Sequence, residues 1–180
     1  YHLAGWQTVG ERAYQMRSPF LLARAMTTGP IVGVLPLFVV RNPSGGLLTS
    51  GLFGAYGPML AADREVADAL LEHAIRLAAA ARVGHILLKG VDGDPLAPLA
   101  PAWERRDISV IATLPLPADP QALWRGFRDE IRRAVRKAER CTLEVRSGGE
   151  LLDDLYDILA ENLHRLGTPP YGRPFLRTLY

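Results

Sequence analysis

The sequence predicts a mixed α/β (α+β) fold, a largely antiparallel sheet flanked by helices. Short apolar strand patterns early in the chain are joined by turn signals, Thr27-Thr28-Gly29-Pro30 and residues 42–46, as hairpins are. Strand and helix patterns alternate further on. No Gly-x-Gly-x-x-Gly leads from a strand into a helix, and no Gly-Lys-Ser/Thr phosphate loop occurs. That pattern disfavours a doubly wound dinucleotide fold and a P-loop nucleotide fold.

Phe20 to Met26 reads as the first strand. Ile31 to Arg41 (IVGVLPLFVVR) reads as a second, short, buried and rich in Val and Ile. Pro36 lacks a backbone donor, so a bulge or an unpaired edge is expected there. Leu47 to Phe53 is a third strand, and the three are expected to form an antiparallel meander. Asp63 to Val83 is the clearest helix: Asp63 can cap it, and Val66, Leu70, Ala74, Leu77 and Ala81 form an apolar stripe at helical spacing. Gly84 suits a left-handed stop. His85 to Gly90 and Asp107 to Leu116 read as strands, with a Pro/Gly-rich loop between them.

The stretch 115–120 (PLPADP) separates a strand-rich region from a helix-rich one and is expected to be a domain boundary. Asp119 and Pro120 open a helix expected to run to about Arg140. Cys141 to Arg146 reads as a short strand. Ser147 and Glu150 have capping-box spacing ahead of a helix with Leu152, Leu155, Leu159, Leu163 and Leu166 on one face. Gly167 ends that helix, Pro169-Pro170 forbids its continuation, and Phe175 to Tyr180 begins another.

The bulk properties fit a globular chain. Of 180 residues, 48% are hydrophobic and 22% charged. A chain this long can bury roughly 70% of its unfolded surface. The net charge of +2 is too small to imply nucleic acid by itself. One cysteine, Cys141, excludes an intrachain disulfide and a cysteine-rich metal site and fits a reducing, cytoplasmic setting. The longest apolar run, Ile31 to Val40, is too short for a membrane span, and no signal peptide is visible. The chain opens on Tyr1 rather than Met and stops inside a helical pattern, so a piece of a longer protein is expected.

Several segments in order carry a resemblance: YHLAGW at the start, IVGVLPLFVV, TSGLFGAYGP, the alanine-rich helix from Ala67 to Ala81, Leu114-Pro115-Leu116, FRDEIRRAVRKAER and ENLHRLGTPPYGRPF. Together they resemble the bacterial FemAB-like N-acyltransferases, built on the acetyltransferase (GNAT-like) fold. The similarity covers nearly the whole chain, and Leu166-Gly167-Thr168-Pro169 beside an aromatic is its most specific member. The resemblance implies two GNAT-like domains side by side with the acceptor in a cleft between them. Residues 1–116 would be most of the first domain and 117–180 the opening of a truncated second, inactive as a fragment. It implies acyl-CoA or aminoacyl-tRNA as co-substrate, no covalently bound cofactor, and an acceptor amine on a small molecule, peptidoglycan precursor or exopolysaccharide.

Candidate site residues follow, each beside its plainer reading. Arg125, Arg128, Arg132, Arg136 and Arg140 are spaced three, four, four and four, which lays them along one face of a continuous helix. Such a row can hold phosphates of a donor or of tRNA, or it is a solvated face on which Asp129 and Glu130 pair with Arg133. The glycine-spaced loop 49–58 can approach a ligand closely, with Tyr56 on the acceptor side, or is a tight connection. Lys89, near a strand end, can hold an acidic acceptor or is a surface lysine. His164, Thr168 and Tyr171 flank Gly167. His164 and Tyr171 can take the proton of an attacking amine or donate to an oxyanion, with Thr168 on the substrate, or the group is a helix cap with a packed aromatic.

No metal is expected, because the histidines show no ligand spacing with one another or with Cys141. No nucleophile motif is present, and Cys141 is expected to be a packed thiol. The expected chemistry is direct attack of an amine on a thioester or aminoacyl ester. The alternative is a non-catalytic anion- or RNA-binding module using the basic helix 120–140.

Overall fold

The computed structural model describes residues 2–43, 45–52, 57–90, 103–107, 112–141 and 143–180. The described residues are mixed α+β, with six α-helices and two small, mostly antiparallel sheets. The chain divides into two compact units, Tyr1–Trp103 with Gly149–Tyr180, and Glu104–Gly148.

In the first unit, α1 (Ala4–Tyr14) leads into β1 (Leu21–Arg24), β2 (Ile31–Leu35), β3 (Phe38–Val40), β4 (Leu47–Thr49) and β5 (Leu60–Ala61). Helix α2 (Arg64–Ala81) and strand β6 (His85–Leu87) follow. The first sheet has the order β1-β2-β5 and the second β3-β4-β6. Three of the pairings are antiparallel, and β4 with β6 is parallel, Leu48 facing Ile86.

The expected long strand Ile31 to Arg41 is two strands in two different sheets. Pro36 cannot donate to a ladder, and the fully buried Pro36-Leu37 step is where the chain leaves one sheet for the other. The meander is therefore two separate hairpin ladders, β1 on β2 and β3 on β4.

Helix α2 closes over the first sheet and over β6. Asp63 caps it as expected, accepting from the Val66 N–H at 2.9 Å. Its buried face is Ala67, Leu70, Leu71, Ala74, Ala78 and Ala81, with Val66 and Leu77 only partly covered. The stripe is thus broader than the expected one and rotated toward Ala67 and Leu71. Gly33 makes the close approach to β2 feasible: a Cβ there would sit 2.7 Å from Val66 Cγ1 and 3.0 Å from Leu70 Cδ1. The left-handed residue at the helix end is Arg82 (φ 54°), not Gly84. The Arg82 and Val83 N–H groups close the turn onto Ala79 and Ala78.

In the second unit, the expected helix 120–140 is two helices, α3 (Pro120–Gly126) and α4 (Asp129–Glu139). Phe127 and Arg128 are extended (ψ 145° and 151°), so the helical path breaks after Gly126. Glycine weakens the last turn of α3, while Asp129 and Glu130 favour a fresh start by sitting at the positive end of α4. Of the strand expected over Asp107 to Leu116, positions 108–111 lie outside the described residues, and 112–116 are not strand. Residues 143–146 are not strand either.

Two further helices complete the first unit. Residues 149–151 form a short 3₁₀ turn, and α5 (Leu152–Arg165) and α6 (Arg173–Leu179) come after it. The α5 cap residue is Leu151, with no side-chain cap bond, so the expected capping box does not form at that helix start. Helix α6 packs on α1 and α5. Phe175 is buried with its ring centroid 4.9 Å from Tyr171 and 6.0 Å from Tyr14. Leu155 and Leu166 of the expected apolar face are exposed.

Candidate functional site

The C-terminal ends of the parallel pair β4 and β6 bring buried polar groups together, Ser18 being the other buried polar residue among those described. Thr49 and Ser50 are buried at the end of β4. Ser50 ties three segments together. Its N–H donates to the Leu87 carbonyl at 3.1 Å, and its Oγ accepts from the Lys89 N–H at 2.8 Å. The Lys89 carbonyl in turn accepts from the Gly57 N–H at 2.9 Å. Thr49 Oγ1 donates to the Gly51 carbonyl at 3.1 Å, turning the chain away from the strand. A Cβ on Gly57 would overlap the Ser50 carbonyl oxygen, so glycine is what lets residues 50 and 57 lie this close.

Lys89 therefore leaves from a fixed point two residues beyond β6. Its side chain is half-buried. Burial pulls its pKa below the ordinary lysine value, because the charged ammonium loses hydration there. Tyr56, expected beside the acceptor, lies outside the described residues. Sequence reasoning passed over Thr49 and Ser50 as individual groups. Their signal was two hydroxyl residues closing an apolar strand just before a glycine.

His164, Thr168 and Tyr171 occupy the junction between α5 and α6, and the junction is a helix stop. Gly167 is left-handed (φ 70°). Its N–H bonds the His164 carbonyl at 2.9 Å, and the Thr168 N–H bonds the Leu163 carbonyl at 2.9 Å. This double closure is the Schellman arrangement. The side chains of His164 and Thr168 are exposed. Tyr171 is partly covered and packs on Phe175. Beside it, burial raises the pKa of the Tyr14 hydroxyl, a hydrogen bond with the Gly172 backbone works in the opposite direction, and the neighbouring Tyr171 and Tyr156 add to the rise. Tyr14 and Tyr156 carry no sequence signal, since only packing brings them here.

The basic row is not one continuous face. Arg125 belongs to α3 and bonds Asp119 at 3.3 Å, and Arg128 is the cap residue of α4, with Glu130 at 3.9 Å. Arg132, Arg136 and Arg140 keep the four-residue spacing. Arg132 pairs with Asp129, and Arg136 lies over the Trp124 ring at 5.8 Å. The expected Arg133 pairing with Asp129 or Glu130 is replaced by these Arg132 and Arg128 pairs. No residue of α4 is buried. Cys141 is exposed rather than packed, its thiol donating to the Lys137 carbonyl at 3.3 Å.

Among the described residues no group of His, Cys, Asp and Glu is placed to hold a metal ion. Among them, too, no helix is long and apolar enough to cross a membrane. No protein family, no curated protein and no solved structure matches the chain.

Proposed function

We propose that the chain is part of an N-acyltransferase that passes an acyl or aminoacyl group to an amine by direct attack. The reading joins the FemAB-like order of segments to one structural observation, the strand-end cluster of Thr49, Ser50 and Lys89. A lysine held at a fixed backbone position and partly out of water suits an anionic group of an acceptor, such as a carboxylate or phosphate. Charge pairing gains strength where water is thinned. Direct acyl transfer depends mainly on positioning and on donors aimed at the developing oxyanion, and it needs no nucleophile on the protein. On this proposal His164 and Tyr171 serve the proton and the oxyanion, Thr168 the substrate, and the arginines of α3 and α4 the phosphates of acyl-CoA or aminoacyl-tRNA. A cytoplasmic setting and a cell-envelope or polysaccharide acceptor belong to the same proposal.

The test is donor binding and amide formation in the full-length protein. Acyl-CoAs and aminoacyl-tRNA are offered with amino-sugar and peptidoglycan-precursor acceptors, and products are read by mass spectrometry. Saturable donor binding with amide product supports the reading, and neither binding nor product with any donor ends it. A second reading rests on α4 and its cap residue Arg140, where Arg133, Arg136, Lys137 and Arg140 are exposed and Arg132 is partly covered, all within three turns. A non-catalytic RNA-binding module would lose affinity with salt at a slope of about 0.7–0.9 per phosphate contacted.

A further inference from the structure

Helix α4 separates charge from apolar surface more sharply than α1, α2 or α5 does. At about 100° per residue, Ile131, Ala134, Val135 and Ala138 share one side. Arg132, Arg133, Arg136, Lys137 and Arg140 share the side opposite. No residue of the helix is buried, and Ile131 and Val135 are 45% and 37% exposed. Between Arg125 and Arg140 there are seven basic and three acidic side chains, a net charge of +4. The whole chain carries +2, so everything outside this stretch sums to −2. Arg132 pairs with Asp129, but Arg133, Lys137 and Arg140 have no carboxylate within ion-pair reach among the described residues.

We propose that α4 lies on a membrane surface and binds a bilayer carrying anionic phospholipids. The two faces together select this partner. A single-stranded RNA or a donor phosphate engages the basic side and leaves Ile131 and Val135 in water, and α4 has no aromatic residue on which a base could stack. An apolar protein groove covers Ile131 and Val135 and leaves the uncompensated arginines unused. An anionic bilayer uses both. The apolar side enters the boundary between headgroups and acyl chains, where a strongly amphipathic, basic helix of low mean hydropathy is most stable. The long side chains of Arg132 and Lys137, next to that side on the helix, reach the headgroup phosphates with their stems along the apolar boundary. The other basic residues add attraction to the negative surface potential. An eleven-residue helix gains most of its stability from a covered apolar face, and the bilayer supplies that cover.

The proposal does not rest on the acyltransferase reading, because it involves no donor and no chemistry. Failure of vesicle binding leaves the donor assays standing, and failure of those assays leaves the membrane contact standing.

The full chain is titrated at low salt with vesicles of equal parts phosphatidylglycerol and phosphatidylcholine, and with vesicles of phosphatidylcholine alone. Binding is read by co-sedimentation, and the fold of every variant is checked by circular dichroism. Binding to the anionic vesicles and little to the neutral ones is expected. Arg133→Gln with Lys137→Gln is expected to weaken it roughly 25-fold, about fivefold for each basic residue at the surface. Ile131→Gln with Val135→Gln leaves the charge unchanged and is expected to weaken it about tenfold or more. Glutamine is a good helix former, and Ile131→Leu with Val135→Leu, which keeps the apolar side, is expected to bind at least as tightly as the parent. Arg12→Gln with Arg76→Gln removes the same charge from elsewhere and is expected to change little. No binding to anionic vesicles, equal binding to both kinds, an apolar-side glutamine variant that binds like the parent, or an equal loss in the Arg12 and Arg76 variant overturns the proposal. Oligouridylate binding that needs Arg133 and Lys137 but not Ile131 and Val135, in a chain that ignores vesicles, assigns the helix to RNA and also overturns it.

Discussion

Gly57→Ala tests the architecture of the strand-end cluster directly. The added methyl would overlap the Ser50 carbonyl oxygen, so residue 57 or residue 50 must move. Gly57 has no left-handed backbone angle, so the effect is one of space rather than of conformation. Movement breaks the 2.9 Å bond from the Gly57 N–H to the Lys89 carbonyl, worth about 1 kcal/mol. Forcing a group into a packed place adds about 1–3 kcal/mol. The expected loss is about 2–4 kcal/mol, a fall in Tm of roughly 5–15 °C for a chain of this size. Gly84→Ala is the control: no atom lies within 4 Å of its Cβ position, and a change within about 0.5 kcal/mol is expected. Urea denaturation of both variants decides the matter. A Gly57→Ala protein as stable as the parent would mean that residues 50 and 57 are not held together as described.

Further expectations concern the core, the caps and the surface. Leu35→Ala removes a fully buried side chain from the main cluster and is expected to cost about 2–5 kcal/mol by denaturant titration. Asp63→Ala deletes the α2 cap and is expected to cost about 1 kcal/mol. Ser18 is buried and among the described residues its Oγ has no hydrogen-bond partner, so Ser18→Ala is expected to leave stability unchanged or raise it by up to about 2 kcal/mol. Asp153 has its carboxyl held below the usual range by Arg177 first and Arg173 second. A lowered acid pKa stabilises the fold above the unfolded value and loses that contribution as pH falls through the folded one. Stability is therefore expected to decline on acidification through the carboxylate range, and Asp153→Asn to flatten that decline in thermal melts taken across pH.

Local chemistry explains why some elements are legible in the sequence itself. The α2 helix announces itself through Asp63 and a helical apolar period, because a cap and a buried face are both properties of neighbours three or four residues apart. Gly167 is equally legible, since a left-handed stop before Pro169-Pro170 has few other uses. Lys89 could be placed near a strand end for the same reason. The basic segment reads less well: its periodicity survives a break at Phe127 and Arg128, because three- and four-residue spacing persists even when the helix does not.

What the sequence alone determined about this protein is its α+β class, the helices α2, α5 and α6, its early hairpin turns and the disruption at Pro36. These follow from hydrophobic period, capping and the missing proline donor. Only the tertiary structure decided that the disruption moves the chain into a second sheet and that β6 runs parallel to β4. It alone decided that Ser50, Gly57 and Lys89 meet, and that Tyr14 joins Tyr171 around Phe175. The hydrogen bonds and ring contact behind those pairings join residues from 32 to 161 positions apart in the sequence, and no local pattern records which distant partner fills a given hydrogen bond or contact.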